Sequence, residues 1–160
     1  MKYVPLENII FTGKQNIQWK AVEQYLKRFV GMSFMVNEYK DKLHVSASFA
    51  DEYAESRYTK SLRGGLAKVK ANLSQIVPQL IENATNRRWI ENKSAKHVNN
   101  AGKGWYRYDA YFSIPIQAEN EENIRHNYYT ATLVVRINDQ GLYLHDIINI
   151  KKEARKPRES

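Results

Sequence analysis

Strict alternation over thirteen residues constrains this chain more than any other feature. In Gly104–Ile116, GWYRYDAYFSIPI, Tyr106, Tyr108, Ala110, Phe112, Ile114 and Ile116 fall on one face of an extended strand. Trp105, Arg107, Asp109, Tyr111 and Ser113 fall on the other. The first face is apolar enough to be core, and the second is polar and aromatic around a guanidinium. Two later stretches repeat the split. In 128–137, Tyr129, Ala131, Leu133, Val135 and Ile137 point one way, and Tyr128, Thr130, Thr132 and Arg136 the other, with Val134 an exception. In 142–151, Leu142, Leu144, Ile148 and Ile150 read as core, with Asp146 out of phase. Tyr143, His145, Asn149 and Lys151 lie opposite them, with Ile147 among them. Three strands with one greasy and one polar face describe an antiparallel sheet whose open side is free to bind. An ordinary solvated face fits the same pattern, because Thr and Tyr are also good strand formers.

Helical spacing precedes the strands. Asn16 can cap a helix running to Val30, with Ile17, Ala21, Val22, Tyr25, Leu26 and Phe29 on one stripe and Gly31 at its end. Residues 33–39 and 42–48 read as two short strands around a turn near Lys40 and Asp41. Residues 49–65 are polar and carry no clear period. From Leu66 the stripe Leu66, Val69, Leu73, Ile76, Val77 is helical, and Lys68 and Lys70 lie off it, as solvated lysines would. Pro78 opens a second helix, with Leu80, Ile81 and Ala84 inward, ending within ATNRRWIEN. Residues 91–104 and the acidic 117–127 read as loops, and Asp139-Gln140-Gly141 as a tight hairpin turn. The expected fold is α+β, with two or three helices packed on one face of a four- or five-stranded antiparallel sheet. A small closed barrel with a helical lid is the alternative. Residues 1–15 read as an arm or linker, 16–153 as a single domain and 154–160 as a disordered basic tail.

Charge narrows the partners. The 160 residues carry 25 Lys and Arg against 17 Asp and Glu, a net charge of +8. Phosphate-rich or acidic partners follow from that balance. With no cysteine there is neither a disulfide framework nor a thiolate metal site, which suits a cytoplasmic protein of the producing or target cell. No apolar run approaches the roughly 18 residues of a membrane span. Paired-Cys, H-E-x-x-H, P-loop and G-x-S-x-G motifs are all missing from the sequence, so neither metal nor cofactor is expected. One chemistry needs neither, namely RNA cleavage through its own 2′-hydroxyl. It requires a base, an acid and cations around the phosphorane. Arg107 and Arg136 can clamp a phosphate, and His97 and His145 can exchange the proton. Tyr143 is the better placed hydrogen-bond donor, since parity puts Tyr108 on the core side. Trp105, Thr132, Asn149 and Lys151 on the same face are candidate substrate contacts.

The segments ATNRRWIENKSAKH, GWYRYDAYFSIPI and LYLHDIINIKKE, preceded by SFADEYAESRYTKSLRGGLAKVKANLSQ, carry a family resemblance. Over about residues 33–153 the chain resembles the nuclease-like domains of the barnase/EndoU/colicin/RelE fold. These occur in large polyvalent phage and mobile-element proteins and in related toxin tips. The resemblance implies helices on one sheet face and an RNA site on the other. It implies site residues Lys96 and His97 from the end of the helical region, Arg107 from the first long strand, and Arg136 and Tyr143 from the next two. Where His145 stands, the resemblance leads one to expect a tyrosine, which favours a mechanism of Lys96 or His97 with arginine. The implied activity is that of a metal-independent endoribonuclease, a toxin or phage effector. Its target would be tRNA or ribosome-bound RNA, and an immunity or antitoxin protein would be its partner. A non-catalytic RNA- or DNA-binding module of a larger protein is the alternative, and a protein-interaction domain the third reading.

Overall fold

A computed structural model describes residues 2–13, 16–92, 102–116 and 125–154. Its centre is a three-strand meander: β5 (Gly104–Ile116), β6 (Arg125–Asn138) and β7 (Gly141–Lys152). The fold is α+β as expected, but the sheet is larger than four or five strands and is not purely antiparallel. It runs β1-β5-β6-β7-β3-β2, where β1 is Val4–Pro5, β2 is Ser33–Val36 and β3 is Asp41–His44. A further strand, β4 (Thr85–Ile90), pairs with β5 off that path. β1 joins β5 in parallel, as β3 does β7.

The segment expected to be an arm is laid onto the sheet. Val4 pairs with Phe112, Leu6 N–H donates to Ser113 O at 2.8 Å, and both Val4 and Leu6 are buried. Further on, the Asn72 side-chain oxygen accepts the backbone N–H of Ile10 and Phe11. These are long-range contacts, so no local period announced them.

The helices are α1 (Trp19–Leu26), α2 (Ala47–Glu55), α3 (Arg57–Ser61), α4 (Gly64–Leu73) and α5 (Val77–Glu82). α1 is shorter than the stripe suggested and ends in a 3₁₀ turn, Lys27–Phe29, before Gly31 at φ 90. The polar stretch 49–65 turns out to be mostly helical. Phe49, Ala50, Tyr53 and Ala54 form the buried face of α2. Pro78 does sit in the first turn of α5. That helix stops at Glu82, however, and ATNRRWIEN supplies β4 rather than a helix end. The β2–β3 hairpin is present as expected but shorter than 33–39 and 42–48, since Ala47 and Ser48 already belong to α2.

One core joins sheet and helices. Val69, Leu73 and Leu80 pack with Tyr108, Phe112, Leu133, Val135 and Leu144, and Tyr106 seals the margin. Leu66, expected in that stripe, is exposed. Lys70, expected to be solvated, is fully buried beside Asp146, with Nζ 2.7 Å from Oδ1. Lys70 Nζ also donates to Thr59 Oγ1 at 2.6 Å, and the Tyr53 hydroxyl donates to Lys70 O. Burial pulls the Lys70 ammonium below its ordinary pKa and the Asp146 carboxyl above, while each charge opposes the other's shift.

In β7 the parity reading breaks down, and two bulges explain why. Val135 pairs with Leu144 but Val134 with Asp146, so His145 is an extra residue. Thr132 pairs with Ile148 but Thr130 with Lys151, so Asn149 and Ile150 together face Ala131. Asn149 takes φ 53, a left-handed value that Asn tolerates better than most residues. Each extra residue flips the phase. Ile147 therefore joins the core, whereas Ile148, expected there, lies on the open face. Asp146 is no exception to the corrected phase.

Candidate functional site

Strand register lays the open face out in rows. The first row is Trp105, Arg136, Tyr143 and, across the parallel pair, His44. The second is Arg107, Val134, Asp146, and the third Asp109, Thr132, Ile148. In the fourth, Tyr111, Thr130 and Lys151 follow. Tyr3 closes that end: its ring meets Tyr111 and Tyr128 edge-on at 5.6 and 5.0 Å, and its hydroxyl donates to Glu153. The usable part of the face is therefore the first three rows.

Beyond Leu142 and Tyr143, β7 no longer pairs with β3, and helices stand beside it. Tyr58 of α3 accepts the Ile150 backbone N–H at 2.8 Å, satisfying an amide that an edge strand would leave open. α2 and α3 thereby wall the open face on one side. Ile90, Glu91 and Asn92 wall it on the other, enclosing a groove of about 840 Å³ floored by Trp105, Arg107, Val134, His145 and Ile148.

Sequence reasoning missed Glu52 because residues 49–65 showed no period. Helical spacing from the buried Phe49 and Tyr53 is the signal that could have found it. Its Oε1 lies 3.9 Å from His145 Nε2, and Trp105 meets the His145 ring edge-on at 4.9 Å. A carboxylate beside an imidazole is an acid–base pair in its simplest form.

The two arginines differ. Arg107 is half-buried in the groove floor and has no ion-pair partner among the described residues. Asp109, on the same face of β5, is taken by Arg88 at 2.9 Å and by Asn86 at 2.8 Å. Arg136 is only 9% exposed, and its Nε has no hydrogen-bond partner among the described residues. Its guanidinium lies 4.6 Å above the Tyr143 ring, with Nη2 3.4 Å from Ser46 Oγ. Among the described residues no carboxylate pairs with it, and burial holds its pKa below the ordinary arginine value.

The other expected site residues scatter. Tyr143 is occupied under Arg136, and its ring meets that of His44 at a tilt, with centroids 5.1 Å apart. Thr132 is on the right face but buried, while Asn149 and Lys151 are exposed beyond the third row. Tyr108 is core, as parity required, and its hydroxyl donates to Asp41 Oδ2 at 2.6 Å. Lys96 and His97 lie outside the described residues. Among the described residues no three His, Asp or Glu side chains converge as metal ligands, and no helix is long and apolar enough to cross a membrane.

Comparison of the chain with protein-family models, with curated proteins and with solved structures finds no match.

Proposed function

We propose that this chain is a metal-independent endoribonuclease of the toxin or phage-effector kind, cutting RNA through the substrate's own 2′-hydroxyl. The observation that carries the reading is Arg107, a cation with no carboxylate partner among the described residues, in the floor of a groove that also holds the His145–Glu52 pair. A bound phosphodiester would place its charge on Arg107. One member of the acid–base pair takes the 2′ proton, the 2′ oxygen attacks phosphorus, and the bond to the 5′ oxygen breaks. The other member protonates that leaving oxygen. The products are a 2′,3′-cyclic phosphate and a free 5′-hydroxyl, so atoms and protons balance. Trp105 offers a ring on which a base can stack. Lys96 and His97 keep the role that the resemblance implies and belong in the same set of variants.

The test is purified protein with total RNA in EDTA, beside His145→Ala, Glu52→Gln, His97→Ala and Arg107→Ala. The expected result is cleavage to cyclic phosphate ends by the wild type. No cleavage of any RNA would defeat the reading. A non-catalytic binding module is the second reading, favoured by the same arginines, which no carboxylate among the described residues pairs. It predicts a gel shift without cutting. In either case affinity falls with salt as counterions leave the phosphates, and Arg107→Ala lowers the slope by about one unit. A salt-independent affinity would remove nucleic acid as the partner.

A further inference from the structure

Helix α3 is a wall with two sides. Arg57 and Tyr58 line the groove that holds Arg107, whereas Thr59, Lys60 and Leu62 line a second cavity of about 620 Å³. The residues around the helix's charges hold it in place. Ser56 Oγ accepts the Thr59 N–H at 3.2 Å, and Thr59 Oγ1 donates to Tyr53 O at 2.6 Å. Tyr58 is fixed to β7 through the Ile150 amide. Arg57 and Lys60 are left exposed as the cations of this pinned helix. They stand three positions apart, so they are neighbours on its surface.

The second cavity adds Arg63 and Lys68 to Lys60, and the half-buried Trp19 stands in its wall. No Asp or Glu among the described residues lines it. Arg57 and Lys68 have no ion-pair partner among the described residues. Arg63 Nη1 donates to the Lys60 and Leu62 carbonyls at 2.6 and 2.8 Å, so neutral groups accept from it. Lys60 has Glu55 at 3.9 Å, but both side chains are more than half exposed, and water screens such a pair.

We infer that the two cavities form one track for a single RNA strand, which leaves the Arg107 groove over α3 and enters the second cavity. The inference rests on the reading of the groove as an RNA site. It names the substrate class, a single strand long enough to set phosphates on Arg57, Lys60 and Lys68 as well as on Arg107. Each cavity combines cations with a tryptophan, Trp105 in one and Trp19 in the other. That combination holds a strand without reading its sequence.

Two 2′-O-methyl oligonucleotides that cannot be cut, a tetranucleotide and a dodecanucleotide, are titrated into the full chain over a range of salt. The dodecanucleotide is expected to bind more tightly and with the steeper salt slope. Lys60→Ala and Lys68→Ala should each lower that slope by about 0.7 and weaken its binding about 3–10-fold at low salt, leaving the tetranucleotide unchanged. Lys68→Arg should keep the slope, since the charge is kept. Equal affinity and slope for the two lengths in the wild type would overturn the track, as would binding of neither. An unchanged slope in the folded Lys60→Ala, Lys68→Ala double variant would overturn it too. The wild-type comparison of lengths decides without any variant. RNA cleavage without the dependence on length and charge would remove the track and leave the nuclease reading. That dependence without cleavage of any RNA would keep the track and remove the nuclease.

Discussion

Removing the Glu52 carboxylate would leave the His145 imidazole beside Trp105 with its charged neighbour gone. If the pair does acid–base work, Glu52→Gln and His145→Ala should each lower cleavage by about 10²–10⁴-fold, the usual contribution of such a group. Circular dichroism should stay unchanged, because both side chains face the groove rather than the core. Wild-type rates in both variants, with loss in His97→Ala, would move the chemistry to His97. Arg107 and Arg136 illustrate why residue type alone is a poor guide. Parity puts both on one face, yet one is available in the groove floor and the other is sunk against Tyr143.

At the level of elements, β7 decides the site. Without the bulge at His145, unbroken alternation from Leu144 would turn Asp146 and Ile148 into the core. The second bulge depends on Asn149 at φ 53. Asn149→Gly should be neutral within about 0.5 kcal/mol, since glycine adopts that conformation freely. Asn149→Val should cost about 1–2 kcal/mol or more, because a β-branched residue resists the left-handed region. Urea unfolding of the two variants measures the difference. Equal stability of Val and Gly at this position would mean that the bulge is not held by backbone conformation.

For the whole molecule, the buried Lys70–Asp146 pair ties α4 to β7. Lys70→Met should destabilise the fold by about 3–5 kcal/mol by leaving a buried carboxylate alone, and Lys70→Met with Asp146→Leu should recover much of it. A second cluster closes the other flank. Arg87 lies between the Tyr39 and Tyr106 rings at 4.6 and 4.7 Å and holds both Asp41 oxygens, one of which also accepts the Tyr108 hydroxyl. Burial, reinforced by Asp41, pushes the Tyr108 phenol well above its ordinary value. The folded pKa therefore lies above the unfolded one. The stabilisation is complete below about pH 10 and declines as pH rises beyond it, where only the unfolded chain has released the proton. Tyr108→Phe should cost about 0.5–1.5 kcal/mol at neutral pH. That gap should narrow at alkaline pH in denaturation curves, and a gap that widened would contradict the assignment.

Alternation alone determined β5 and β6, the face that Tyr108, Phe112, Leu133 and Val135 bury, and the opposite face of Trp105, Arg107 and Arg136. Those patterns are local, so a strand's period of two reports them directly. Val69 and Leu73 in the stripe of α4, the start of α5 at Pro78 and the existence of the β2–β3 hairpin were legible because they too are local. What tertiary structure decided is whatever depends on a partner far along the chain. β1 is a strand only because β5 offers an edge, and β4 only because β5 offers more of the same edge. Lys70 is buried only because Asp146 awaits it 76 residues later. The His145–Glu52 pair needs a helix and a strand from distant parts of the chain to stand side by side. Side-chain periodicity records which way a residue points, whereas a site is made by what stands opposite it.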